Sequence, residues 1–563
     1  MSQTSRRFPK NTGFAQIIDQ AVATCPQRVA VVSDGLRLTY QELDAASSRL
    51  ALALEREGVG PGEPVGVISR NCAEFLLAEL AILKLGAVAV KISWRLSPDE
   101  IQYIIELNSL RYVFLRPERE DWGEQVRQRN RGKVKFYALT PLRPGETAPF
   151  WQMIESAPSA QAFLPRPVEP DSPAFRIHTS GTTGRPKCVL HSHAHMLEQL
   201  QRVLAVLPYQ PGDVYQMISQ LFHVSSMGAY MVLATGGTLV LMHHFDPTEY
   251  MESLVREGVT GVGVIPVVLK CLLGHPDFYK YDLSRLRFLN YSTCPISQSL
   301  LEEALDKLGC DFYQSYGMTE MASVLTVLTP PDHFSDHGSH LASVGKPIPG
   351  VEIQIQDFQG SPLPPGVTGE IVAKGPGQMC SYYNADPEAN LRALRDGWYH
   401  TGDVGYLDEK GFLFVQGRKD DMIISGGENI YPKEVADAIA MLGEDVAEVA
   451  VYGVPDDKWG ELVKASVVRK PGSTLTVEQL REYCLANIPR YKVPKEFEFL
   501  PELPKNGTGK VLIPLLREAS MQKKKQSKES LQERSVYHGA EKLSAGDRRE
   551  GGCRPHRQPA REA

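Results

Sequence analysis

Val65-Gly66-Val67-Ile68, Phe75-Leu76-Leu77-Ala78-Glu79-Leu80-Ala81-Ile82-Leu83 and Ala87-Val88-Ala89-Val90-Lys91-Ile92 follow one another within residues 65–92. The outer two are short apolar runs of the length of buried strands, and the middle one reads as helix. Upstream, Leu43, Ala46, Leu50 and Leu54 recur at helical spacing, and Gly58 follows as a stop. Downstream, residues 100–107 read as helix again. This alternation predicts a largely parallel sheet covered by helices, and it continues to about residue 345.

The texture then changes. Val351, Ile353 and Ile355 alternate with polar residues, a Pro/Gly-rich turn occupies 361–369, and Ile371 opens another strand. That pattern predicts antiparallel hairpins, a β subdomain attached to the helix-covered sheets. From about residue 420 a smaller α+β unit is expected: strand 422–424, helix 433–441, strand 447–451, helix 477–486. Residues 521–563 carry eleven Lys or Arg against six Asp or Glu. They have few large apolar residues to offset the entropy of ordering, so residues 520–563 are expected to form a disordered basic tail.

Composition bounds the function. The chain has 563 residues, 42% hydrophobic and 23% charged, with a net charge of −6. These are the proportions of soluble globular chains, with room for more than one structural unit; a collagen-like fibre is excluded, as is disorder of the bulk. The mild acidity gives no general attraction to nucleic acid or anionic lipid. No run reaches the roughly 18–20 apolar residues that span a bilayer. The nearest, 229–242, runs into His243 and His244 and reads as buried strand and helix, so no integral membrane association is expected. Met1 to Lys10 is basic without an apolar core, unlike a secretory signal. Nine cysteines with no CxxC pair argue for a reducing compartment and against structural zinc. The cytoplasm is the expected location, with the mitochondrial matrix as the alternative.

Five stretches carry chemistry. Thr179-Ser180-Gly181-Thr182-Thr183-Gly184-Arg185-Pro186-Lys187 is rich in small donors suited to phosphate oxygens, without the spacing of a Walker loop. Tyr316-Gly317-Met318-Thr319-Glu320 joins an aromatic face that can stack on a base to a carboxylate that can hold Mg²⁺. Trp398-Tyr399-His400-Thr401-Gly402-Asp403 offers an acceptor for a ribose diol. Gly417-Arg418-Lys419-Asp420-Asp421 supplies a guanidinium. Pro504-Lys505-Asn506-Gly507-Thr508-Gly509-Lys510 puts a lysine after a Gly-rich turn. Each, taken singly, also reads as an ordinary surface turn.

In this order and spacing the five resemble the adenylate-forming superfamily of acyl-CoA and aryl-CoA synthetases, peptide-synthetase adenylation domains and beetle luciferase. The resemblance covers roughly residues 15–517, and Ser425-Gly426-Gly427-Glu428-Asn429-Ile430-Tyr431-Pro432 is similar to acyl-CoA synthetases in particular. It implies an α/β fold with an N-terminal AMP-binding domain over 1–417, a hinge at 418–420 with Asp420 in the hinge position, and a mobile α+β lid over 421–519. It also implies a two-step reaction with ATP, Mg²⁺ and CoA. A carboxylate attacks the α-phosphate to give an acyl-adenylate and pyrophosphate, and a thiol then displaces AMP. Repulsion between the two reacting anions must be offset by cations and oriented N–H groups. By resemblance, Thr179, Ser180, Gly181, Thr182, Thr183, Gly184 and Lys187 cradle the β- and γ-phosphates, Thr319 touches the α-phosphate and Glu320 binds Mg²⁺. Tyr316 stacks on adenine, Asp403 takes the ribose hydroxyls and Arg418 reaches ribose or phosphate. Lys510 bridges carboxylate and α-phosphate, and the Gly426-Gly427 loop serves the thiol step.

The chain departs from the family pattern at Cys188, where Gly is common, and at Tyr291-Ser292-Thr293-Cys294-Pro295, where relatives are Gly/Ala-rich. Ser292, Thr293 and Cys294 would lie between adenine and the acyl pocket, and their bulk narrows the tunnel or adds hydrogen bonds. Amino-acid-activating relatives place Asp after Phe in the pocket-opening segment. Here it reads Leu221-Phe222-His223-Val224-Ser225-Ser226, which disfavours an α-ammonium. His223 resembles the residue near the substrate carboxylate, a core histidine being the bland alternative. Residues 264–266, Met318 and Met321 make apolar walls, which favours a fatty (medium- or long-chain) or aryl acid. No carrier domain with a phosphopantetheine-type serine follows residue 517, so the thiol comes from CoA or a separate acyl carrier protein. A ligase that loads such a carrier is the competing class. A non-catalytic ligand-binding homologue predicts loss of Lys510 or Glu320, and both are present. Oligomeric state is not legible.

Overall fold

The computed structural model describes residues 12–524, apart from 117–119, 141–146, 161–162, 180–185, 295, 334–339, 358, 457 and 506–510. The chain divides into two compact units, Met1–Asp420 and Asp421–Ala563.

Among the described residues the large unit holds three sheets. The seven-stranded sheet is ordered Ser381–Tyr382, Lys187–Ser192, Pro173–Thr179, Val88–Ile92, Pro64–Ile68, Tyr112–Leu115, Lys135–Ala138. It is parallel from Pro173–Thr179 to Lys135–Ala138, with antiparallel strands at the other edge. A nine-stranded sheet has six parallel strands at its centre and antiparallel pairs at both margins. Helix Ala73–Lys84 touches strands of both sheets and is buried on nearly every face, which is why its sequence is mostly apolar. Helix Met227–Thr235 is equally buried, and strand Thr238–Leu241 follows it, so the 229–242 run is helix and strand rather than a membrane segment. Among the described residues no helix is long and apolar enough to cross a membrane. Helices Tyr40–Arg56 and Pro98–Leu107 start at capping boxes, Thr39 with Glu42 and Ser97 with Glu100, which satisfy their first N–H groups. A third, five-stranded antiparallel sheet contains Glu352–Gln356, Gly369–Lys374, Trp398–Leu407 and Leu413–Arg418.

The small unit is a five-stranded sheet with helices Pro432–Ala440 and Val477–Asn487. Its core gathers Ile423, Ile430, Val435, Ile439, Val463, Val467 and Leu480. Strand Val446–Asp456 runs beyond the expected 447–451 because it continues to pair with Gly460–Arg469 down to Asp456. The expected start of the tail at 520 also needs correction. The chain is helical over 513–524, Ser520 is 2% exposed and it accepts a hydrogen bond from Lys464 Nζ at 2.9 Å. Lys523 and Lys524 pair with Glu498 and Glu496 at 3.0 and 3.4 Å. These contacts offset the ordering of 520–524; residues 525–563 lie outside the described residues.

Candidate active site

Strands Trp398–Leu407 and Leu413–Arg418 pair with Asp403 opposite Arg418, which puts carboxylate and guanidinium on one face. Arg418 Nη1 donates to Asp403 Oδ1 at 2.8 Å and to the Thr401 carbonyl at 3.2 Å. Tyr316, near the end of strand Asp311–Met318 of the nine-stranded sheet, donates its hydroxyl to Asp403 Oδ2 at 2.7 Å. One carboxylate therefore joins two sheets. Burial, then the neighbouring Asp403, push the Tyr316 phenol well above its usual range, so it stays a donor. Burial works against the Arg418 charge, but Asp403 more than offsets it and raises Arg418. Each Asp403 oxygen keeps a second lone pair for a further donor.

Gly317 follows at a register shift against strand Ser323–Leu328. A Cβ there would lie 1.6 Å from the Ser323 carbonyl oxygen, so only glycine fits. The short turn Thr319–Met321 comes next, reversed by Ala322 and Ser323 at φ 49° and 100°. This reversal presents Thr319 and Glu320. His191 Nε2 lies 2.7 Å from the Thr319 carbonyl oxygen; burial pulls this imidazole down to about 4, so at neutral pH it is uncharged. Tyr382 donates its hydroxyl to Glu320 Oε1 at 2.8 Å, and the Met379 N–H holds the Glu320 carbonyl at 2.8 Å. Lys187 Nζ stands 5.0 Å from the Tyr382 ring centroid. Thr179 is the strand partner of Lys187, so both ends of the donor-rich loop are fixed here. Ser180, Gly181, Thr182, Thr183 and Gly184 lie outside the described residues, as does Lys510.

Ser292 is in register with Ser315, one residue before Tyr316. Thr293 has φ 79°, a rare conformation for a β-branched residue and one that clusters at functional sites. Its hydroxyl lies 3.3 Å from that of Ser292, and the Cys294 N–H returns to the Ser292 carbonyl. His223 belongs to a different neighbourhood, with Phe222 beside its ring. Burial, then Arg95 and Lys91, pull His223 down to about 4. Cys188 is buried and its thiol is pushed up to about 12 by burial, which excludes it as a nucleophile.

In the small unit Gly426 and Gly427 adopt φ 62° and 87°, and the Gly426 N–H donates to the Trp459 carbonyl at 2.9 Å. Asp420 lies in the turn Lys419–Asp421 and is the last residue of the large unit.

The structure thus brings together Tyr316, Thr319, Glu320, Asp403, Arg418, Thr179, Lys187 and the 292–294 segment. Sequence reasoning missed Tyr382 and His191. The run His191-Ser192-His193-Ala194-His195 was a signal for one; Tyr382 had none. Among the described residues no three His, Cys, Asp or Glu side chains cluster to hold a metal. A lone carboxylate such as Glu320, beside a phosphate-suited loop, fits Mg²⁺, which keeps its waters and takes one or two carboxylates plus phosphate oxygens.

The AMP-binding enzyme family model matches residues 18–383, and the model of the AMP-binding enzyme C-terminal domain matches residues 434–510. The chain belongs to the adenylate-forming, AMP-binding enzymes. This adenylate-forming enzyme is 33% identical over 504 residues to a fatty acid–[acyl-carrier-protein] ligase, ScoC, of Streptomyces coeruleorubidus, covering 88% of this chain and 93% of that one. It is 34% identical to a feruloyl-CoA synthase of an Amycolatopsis species, over 89% and 98% of the two chains. Among solved structures, o-succinylbenzoate CoA synthetase of Bacillus subtilis, in complex with its acyl-adenylate intermediate, superimposes with a TM-score of 0.77. That pair is 30% identical over 89% and 98% of the chains. The enzyme is an AMP-forming acid–thiol ligase, and ATP, Mg²⁺ and CoA are the cofactors of its family.

Proposed function

We propose that this enzyme is an acyl-CoA synthetase for a fatty or aryl carboxylic acid. The observation that carries the reading is the Asp403 node, which ties the guanidinium of Arg418 and the ring of Tyr316 to one carboxylate within the family's motif order. In this reading Tyr316 offers its face to adenine, Asp403 accepts the ribose hydroxyls on its spare lone pairs, and Arg418 holds Asp403 in place while reaching ribose or phosphate. Thr319 donates to the α-phosphate. Glu320, oriented by Tyr382, holds Mg²⁺, which supplies positive charge against the phosphates. The loop from Thr179 to Lys187 supplies donors for the β- and γ-phosphates. Ser292, Thr293 and Cys294 line the passage between adenine and acid. His223, neutral because it is buried, donates one hydrogen bond to the acid's carboxylate. Lys510 offsets the repulsion between the two reacting anions in the first half-reaction. The Gly426-Gly427 turn serves the thiol in the second, with Asp420 as the hinge between the two states.

A His in the 221–226 segment, where a carboxylate would be needed to pair an ammonium, supports a fatty or aryl acid rather than an amino acid. A second reading, transfer to an acyl carrier protein, is favoured by the likeness to the carrier-protein ligase. Acid-dependent exchange of pyrophosphate into ATP tests the adenylation half. The reading expects exchange with Mg²⁺ and a fatty or aryl acid, cut about 100-fold in Glu320→Gln. Exchange supported only by amino acids would refute it.

A further inference from the structure

A second polar group is buried between strand Val88–Ile92 and helix Ala73–Lys84. Lys91 stands in strand Val88–Ile92 with its side chain 1% exposed, 2.8 Å from Glu79 Oε2, whose side chain is 2% exposed. Its ammonium also reaches Ser226 Oγ at 2.9 Å, the Tyr230 hydroxyl at 2.5 Å and the Leu221 carbonyl at 3.1 Å. The Tyr230 hydroxyl in turn donates to the other Glu79 oxygen. A buried ion pair contributes little net stability, because desolvation consumes most of the attraction and an apolar pair of similar volume does as well. Its use is better sought in what it holds.

Leu221 and Ser226 are the two ends of the segment that carries His223, and Lys91 bonds to both. On its other side Leu221 donates its N–H to Asn71 Oδ1 at 2.8 Å, while Asn71 Nδ2 holds the carbonyls of Ser219 and Met242 at 3.0 and 3.2 Å. The Leu221 backbone is thus gripped at both its N–H and its C=O. Between the ends the only regular structure is the short 3₁₀ turn Val224–Ser226, so the segment depends on these side chains for its shape. We propose that Lys91 is a positioning residue for the acid: carried by Glu79 and Tyr230, it clamps Leu221 and Ser226 and thereby sets where His223 meets the substrate carboxylate. The proposal rests on the reading of His223 given above.

The test uses the full chain as Lys91→Met/Glu79→Gln, since Lys91→Met by itself leaves Glu79 buried and unpaired. Hydrogen exchange of the 222–226 amides, compared with those of strand Thr238–Leu241, reads the clamp without any substrate. The expected result is exchange about tenfold faster in 222–226, with the strand unchanged. Ser226→Ala, which keeps the ion pair, should move the same amides in the same direction, and it serves if the double variant does not fold. In pyrophosphate exchange with octanoate and coumarate as probes, the acid KM should rise about tenfold while the ATP KM holds within about twofold. Unchanged exchange in 222–226, or a loss of protection spread evenly over the sheet, overturns the proposal. An acid KM unmoved by the clamp variants but raised by His223→Ala overturns it too. If His223→Ala itself leaves the acid KM unchanged, the reading of His223 has failed instead.

Discussion

Asp403 shows how much one side chain can carry. Its two oxygens hold Arg418 and Tyr316 at 2.8 and 2.7 Å, and in the proposed reading its spare lone pairs take the ribose hydroxyls. Asp403→Ala removes charge-assisted hydrogen bonds worth about 1.5–3 kcal/mol each and leaves a guanidinium without its carboxylate. The ATP KM should rise about 10- to 100-fold while the acid KM changes little, which initial-rate kinetics with each substrate varied will check. The residues of this node were legible in the sequence because each lies in a short contiguous motif whose chemistry can be read without its neighbours. Tyr382 was not, since it reaches Glu320 across 62 residues of chain. Lys91 and Glu79 stood in plain view as charges inside apolar runs, yet neither sequence neighbourhood shows that they face each other.

At the scale of elements, Gly317 decides whether the turn bearing Thr319 and Glu320 can form. Gly317→Ala drives a Cβ into the Ser323 backbone, where no side chain can give way. Thermal unfolding should show a loss of about 3 kcal/mol or more. In the small unit, Glu498 ties Ser466, Lys464 and Lys523 together. Burial opposes its charge, but these partners prevail and hold the carboxyl at about 2, against an ordinary 4.5. The folded-state value is depressed, so the stabilisation is complete above about pH 4.5 and is lost as pH falls towards 2. Glu498→Gln should therefore lower the melting temperature of the small unit at pH 7 and flatten its acid dependence. Removing 520–563 should also cost stability relative to removing 525–563, because Ser520 and Lys523 go with it. Strand–helix alternation was readable because buried strands and helices differ in length and period. The far end of strand Val446–Asp456 was hidden by Gly453 and Pro455, which read as breakers although an edge strand accepts them. The helix over 513–524 was obscured by its lysines, whose partners lie in another strand.

At the scale of the whole molecule, four histidines of the large unit, His178, His191, His193 and His223, sit in desolvated surroundings. Burial pulls each down to about 4 from an ordinary 6.5. The unfolded chain binds their protons first, so stability falls as pH drops from about 6.5 towards 4, each histidine adding up to about 1.4 kcal/mol per pH unit. Denaturant unfolding at pH 7 and 5 should show the loss, and His178→Gln should reduce its slope. One measurement is decisive: release of pyrophosphate and AMP across octanoate, palmitate, benzoate, coumarate, succinylbenzoate and several amino acids, each with and without CoA. The account predicts AMP and a thioester that appear together, only with CoA and only with fatty or aryl acids. Pyrophosphate release that CoA leaves untouched, or activity confined to amino acids, would contradict it.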